Sequence, residues 1–298
     1  MGAMEAFSRT FSLLLKNKRL YMLVLIMTLL LAPLEAYLVP ADVEDFSVFN
    51  QSYLEGNTSG IIVEEHGATV EDETAALMEL LKKLALYGLI VLVVSSIFEY
   101  AVTKGLFIEP EESGPLGGLL LDGVKHFPGV IIVNLVYTLL TLAFVGVSTL
   151  PIVIGIITLP VGAVLILVGL LLLIFVGAFA VGLSSLAIPA YVKNESIGGA
   201  FEGFGLAFRN VLSTAGFGFL LMLGIFAISL AISPIAFIVH YTVPGEIAPY
   251  ISALLQAPLE ALMYMFMWTG GVAFYTELKK KEELEKVDEE LAELGIEL

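Results

Sequence analysis

Long apolar runs alternate with short polar connections along the chain. The longest, His126 to Val192, holds 67 residues without one Asp, Glu, Lys or Arg. One membrane-crossing helix needs about 20 apolar residues, so this run contains two. Pro151 and Pro160 bracket a short apolar connection within it. That places a tight hairpin between a third span near Gly129–Leu150 and a fourth near Pro160–Leu186. The alternative to this six-helix partition makes Ile152–Leu159 re-entrant and gives seven elements. The remaining spans are Leu20–Val39, Leu84–Val102, Val211–Val239 and Tyr250–Tyr275, the last interrupted only by Glu260. Lipid offers no partner to bare backbone, so each span is read as a helix. The pattern predicts an all-α polytopic membrane protein with six spans over residues 1–278, then a charged tail over 279–298.

Each odd-numbered span is preceded by a stretch with helical periodicity. Met4, Phe7, Phe11 and Leu14 form one stripe, and Ile197, Phe201, Phe204 and Phe208 another. Leu116, Leu120 and Phe127 form a weaker one. Spacings of three and four put such residues on one helix face. Phe11-Ser12-Leu13-Leu14-Leu15-Lys16-Asn17 also aligns with Phe204-Gly205-Leu206-Ala207-Phe208-Arg209-Asn210. These features suggest three copies of one unit, an interfacial helix followed by a transmembrane hairpin. The Phe stripes would lie in the acyl boundary or pack on the end of the bundle, and the pattern leaves both open. A further echo, Ala32-Pro33-Leu34-Glu35-Ala36 against Ala257-Pro258-Leu259-Glu260-Ala261, joins the first span to the last and falls outside the threefold unit.

Composition narrows the class. The chain is 58% hydrophobic and 15% charged, with a mean hydropathy of +0.94, far from an ordinary soluble enzyme. A net charge of −16 disfavours nucleic acid as a partner. With no cysteine there is no disulfide framework and no thiolate chemistry. Twelve of the 14 basic residues fall on one side of the predicted spans, leaving only Lys82 and Lys83 on the other. By the positive-inside rule both termini are expected in the cytoplasm of a cell-membrane protein. The acid is gathered in an outer segment, about 40–81, with ten carboxylates, and in the tail. The outer segment carries the sequons of Asn50 and Asn57. In the tail, Leu284, Val287, Leu291, Leu294 and Leu298 follow heptad spacing. Such a stripe supports a homo-oligomer through the C-terminal helix, docking on the same chain, or fraying.

Ala187-Ile188-Pro189-Ala190, Glu195-Ser196-Ile197-Gly198-Gly199-Ala200-Phe201 and Phe208-Arg209-Asn210 together resemble the six-helix membrane-domain family associated with glycerophosphodiester phosphodiesterases and the related YciC-like membrane proteins. Phe274-Tyr275-Thr276-Glu277-Leu278-Lys279 is similar to their Tyr-rich exit from the last span. The resemblance implies a fold and no activity. The soluble phosphodiesterase domain has no counterpart, so no catalytic residue carries over.

Ionisable groups within spans are the default functional candidates. Glu35 and Glu260 fall at similar depth, each two residues after a proline. Proline frees a backbone carbonyl that can join a carboxylate in holding a cation. The bland alternative pairs Glu35 with Lys82 or Lys83 and leaves Glu260 hydrogen-bonded in the bundle. Glu99 is expected to pair with Lys104 at the interface. Asn134, with Thr138 and Thr141, is expected to bond across helices, or else to contact substrate. Gly155, Gly162 and Gly169, with Ala178 and Gly182, read as helix-packing surface rather than pore lining. No zinc-ligand spacing or nucleophile elbow occurs, so neither catalysis nor a cofactor or metal is expected. Two functions remain open: binding or movement of a small molecule, ion or lipid in a cleft near Glu35 and Glu260, or a non-catalytic membrane organiser using its interfacial helices. Membrane lipids are the expected partners of both.

Overall fold

The computed structural model describes residues 2–38, 70–108, 114–243 and 245–293. They form α1 (Gly2–Lys16), α2 (Lys18–Leu38), α3 (Val70–Phe107), α4 (Leu116–Ser148), α5 (Leu150–Ile157), α6 (Ala163–Ser185), α7 (Ala187–Asn194), α8 (Ile197–Ala200), α9 (Glu202–Arg209), α10 (Val211–Thr242) and α11 (Ala248–Glu293). No strand occurs among the described residues. Among the described residues, six apolar stretches are long enough to cross a membrane, and they correspond to the six predicted spans. The chain is an all-α polytopic membrane protein. Asn50, Asn57, most of the acidic segment, Leu294 and Leu298 lie outside the described residues.

Each long helix packs on the next. The sequence α2, α3, α4, α6, α10 and α11 closes into a ring, because α11 returns to pack on α2. At the end that carries both termini, α7 fills the centre and touches α3, α4 and α11. Its residues Ala187 to Val192 are all buried. One core cluster surrounds α7, and a second joins α2, α3 and α11. Close approach between helices relies on small residues. A Cβ added to Gly182 on α6 would overlap the Thr214 carbonyl of α10, and one on Gly218 would overlap the Ala178 carbonyl of α6. The opposite halves pack loosely. Leu165, Leu167, Leu170, Leu171 and Ile174 expose successive faces of α6, which only an apolar surrounding tolerates.

The third span differs from its predicted end at Leu150. Pro151 stands in the first turn of α5, where its missing N–H costs nothing. Thr149 bridges the break, donating to Val145 and Gly146 and accepting from Ile152 and Val153. The apolar helix therefore extends from Leu116 to Ile157, and the chain turns at 158–162. A Cβ on Gly155 would lie 2.7 Å from the Gly162 carbonyl, and one on Gly169 would lie 2.6 Å from Ile152. These glycines pack α5 on α6, so Ile152–Leu159 is the tip of a helical hairpin and not a separate element.

The three predicted pre-span stretches fold differently. The first is α1. The second is continuous with its span, since α4 runs unbroken from Leu116 through Pro128. The third breaks at Phe201 into α8 and α9. Ser196 caps α8, its Oγ accepting from Gly199 N at 3.0 Å. The last span and the start of the tail form one helix, since α11 crosses position 279 without interruption.

Candidate functional site

Glu35 and Glu260 are brought together by the closure of the ring. They line one cavity of about 360 Å³ on the half of the bundle remote from the termini. Thr28, Leu31 and Glu35 come from α2, and Glu260, Met263 and Tyr264 from α11. Tyr87 and Val91 of α3 form one flank; Ser229, Ile232 and Ser233 of α10 form the other. The α2–α11 seam that places the carboxylates is held around Pro258. Tyr21 donates to the Pro258 carbonyl at 3.1 Å. Thr28 Oγ1 lies 3.0 Å from the Ala257 carbonyl and 3.1 Å from that of Leu25. Ala32 and Ala257, the first residues of the two echoed segments, are both buried.

Both carboxylates share the lining of this cavity with the hydroxyls of Tyr87, Tyr264, Ser229 and Ser233. Like charges sharing a cavity repel unless a cation or proton sits between them. Hydroxyls of tyrosine and serine can both donate to a carboxylate and accept from a protonated guest. The expected pairing of Glu35 with Lys82 or Lys83 does not form among the described residues, and Lys83 instead meets Glu79 at 3.3 Å, one helical turn away.

Glu99 and Asn134 form a separate polar contact. Asn134 Nδ2 donates to Glu99 Oε2 at 2.8 Å across the α3–α4 seam. The expected Glu99–Lys104 pair is replaced by Lys104–Asp122 at 2.8 Å. Five residues along a helix turn a side chain well away from its starting face, whereas four return it. Asn134 thus bonds across helices, as do Thr141 and Ser184, whose hydroxyl oxygens are 3.1 Å apart.

The Phe stripes divide between two environments. Phe7 packs edge-on against Phe266 of α11, with centroids 6.1 Å apart, and Phe11 lies 5.6 Å from the same ring. Phe204 packs at a tilt on Tyr137, with centroids 4.4 Å apart, and Phe208 meets Phe179 at 5.3 Å. Met4, Phe11, Leu15, Phe201 and Phe208 nevertheless remain exposed.

A polar cluster secures the end that carries the termini. Glu202 of α9 accepts from Lys279 at 2.5 Å, Asn194 at 2.8 Å and Tyr275 at 2.9 Å. Burial alone would raise the Glu202 carboxyl, but these donors outweigh it and hold it below the ordinary glutamate range. Arg9 pairs with Glu277 at 2.9 Å, and Arg209 with Glu282 at 3.1 Å. The beginning of the tail is therefore docked on α1 and α9. Leu284 and Val287 stay exposed.

Tyr87, Tyr264, Ser229 and Ser233 were not singled out by the sequence. Their signal is present in it: Tyr87–Val91, Ser229–Ser233 and Glu260–Tyr264 are spaced by four, and Thr28–Leu31–Glu35 by three and four, each on one helix face. No family model, curated protein or solved structure matches the chain.

Proposed function

We propose that this protein binds a small cation, the proton included, in the cleft between α2, α3, α10 and α11, as a step in carrying it across the membrane. The observation that carries the reading is the convergence of Glu35 and Glu260 in one cavity with Tyr87, Tyr264, Ser229 and Ser233. A carboxylate pair inside an apolar bundle is costly and persists where it serves an ion or proton. The cleft lies on the half away from the basic residues, so with both termini cytoplasmic it belongs to the extracytoplasmic half of a cell-membrane protein.

A second reading has its own support. The exposed apolar residues of α1, α8 and α9 would let those segments lie in the cytoplasmic interface, with Met4, Phe11, Phe201 and Phe208 among the acyl chains. An organiser that senses or shapes the bilayer would use that surface and leave the cleft idle.

The absence of native cysteine makes a direct test simple. Single cysteines at Ser229 and Ser233 are treated with cationic and anionic thiol reagents of similar size. The cationic reagent is expected to react about tenfold faster at low salt, because clefts of one charge sign concentrate counter-ions. The preference should vanish in Glu35→Gln/Glu260→Gln. Equal rates for the two reagents in the otherwise native chain would remove the cation-binding cleft.

A further inference from the structure

A second cavity, of about 430 Å³, opens at the end that carries the termini, between α1, α3, α7 and α11. Three of those helices each supply one cation to it: Arg9 from α1, Lys193 from α7 and Lys279 from α11. The side facing the bundle is apolar, made by Leu13, Leu106, Phe107 and Val272.

The cations are not equivalent. Arg9 commits Nη1 to Glu277 at 2.9 Å, and a guanidinium has five N–H donors. Lys279 spends two contacts on Glu202 and Glu282. Lys193 Nζ stands 4.6 Å above the Phe107 ring. Among the described residues no carboxylate lies within ion-pair distance of Lys193. Among the described residues, the one carboxylate lining the cavity is Glu283, which is exposed. The cavity thus presents a lysine held by an aromatic face, an arginine already oriented by Glu277, and an apolar wall beneath them.

Converging N–H donors of this kind match an oxyanion with several acceptor oxygens, and arginine and lysine together are the usual binders of phosphate. The neighbouring apolar wall suits the carbon skeleton that carries the phosphate. Basic pockets between spanning helices at the cytoplasmic surface hold anionic headgroups. We propose that this pocket binds the phosphate of an anionic ester, supplied either by a lipid headgroup or by a small soluble phosphate. The site is separate from the carboxylate cleft and does not depend on its function.

The test uses the full chain in an uncharged detergent, titrated with phosphatidylglycerol, phosphatidylcholine, glycerol phosphate and inorganic phosphate, with bound species counted by native mass spectrometry. The native chain is expected to retain phosphatidylglycerol or glycerol phosphate at least about tenfold more tightly than phosphatidylcholine. Lys193→Gln should lose that preference, Lys193→Arg should keep it, and Lys125→Gln, an exposed cation outside the pocket, should leave it unchanged. Displacement of phosphatidylglycerol by excess glycerol phosphate identifies the soluble ester as sufficient. Failure of glycerol phosphate to bind or displace it, with the lipid preference intact, identifies the headgroup as the source. Retention of the full preference in Lys193→Gln and in Arg9→Gln/Lys193→Gln, or no preference for any anion in the native chain, would overturn the site. Melting temperatures of the variants confirm that each is folded.

Discussion

The substitution Glu202→Gln isolates the ion cluster that docks α9 and the start of the tail. Glutamine keeps the shape and retains an acceptor for Tyr275 and Asn194, but it loses the charge that faces Lys279. That ion pair has a separation of 2.5 Å, and both side chains are 30% exposed. Hydrogen bonds to charged groups contribute about 1.5–3 kcal/mol, while exposed ion pairs contribute about 0–1 kcal/mol. A half-buried pair falls between, so a loss of about 1–2 kcal/mol is expected at neutral pH. The sign of the pH dependence follows from the lowered Glu202 carboxyl. A depressed carboxyl stabilises the fold above its unfolded-state range, and the contribution fades as pH falls through that range toward the folded value. Thermal unfolding in detergent, followed from neutral to acidic pH, should therefore show the native chain and Glu202→Gln converging as pH falls. Other carboxylates titrate in both proteins and cancel in the difference. A gap that stays constant with pH, or widens toward acid, would refute the assignment of charge to this contact.

Four further outcomes are expected. Gly218→Leu should destabilise the bundle by about 1–3 kcal/mol by overpacking the α6–α10 seam, since even a Cβ there overlaps the Ala178 carbonyl. Gly88→Ala, with nothing within 4 Å of its added Cβ, should instead stabilise α3 by about 0.5–1 kcal/mol, as read by the same unfolding assay. A cysteine at Ser52 should be labelled by an impermeant reagent on intact cells and one at Ser196 should not; the opposite pattern would invert the topology. A cysteine at Leu284, on the exposed stripe of the C-terminal helix, separates the readings of the tail in native membranes: a covalent dimer supports a tail-mediated homo-oligomer, and its absence excludes one.

The six spans were legible because uncharged runs of this length have one physical solution in lipid. The hairpin tip was less legible, because Pro151 ends a helix only when it falls beyond the first turn, and a one-residue break lets it fall within that turn instead. Pro128 likewise sits inside α4 without separating a pre-span helix. Glu35 and Glu260, read from the sequence as lying at similar depth in the first and last spans, line one cavity. What the sequence could not supply was which helix faces meet. Periodicity shows that Ser229–Ser233 and Tyr87–Val91 are stripes, yet only the closure of the ring turns them toward the carboxylates. The Glu99–Lys104 expectation failed on helix geometry, where a separation of five loses what four would keep.

Flux through proteoliposomes tests the cation-cleft reading most directly. Vesicles carrying the native chain are loaded with pH- or cation-sensitive dyes and subjected in turn to proton, sodium and potassium gradients. The expected result is cation movement above that of empty vesicles, abolished in Glu35→Gln/Glu260→Gln and preserved in Lys193→Gln, with all three proteins folded. No movement in the native chain under any gradient, or undiminished movement in the double variant, would contradict it.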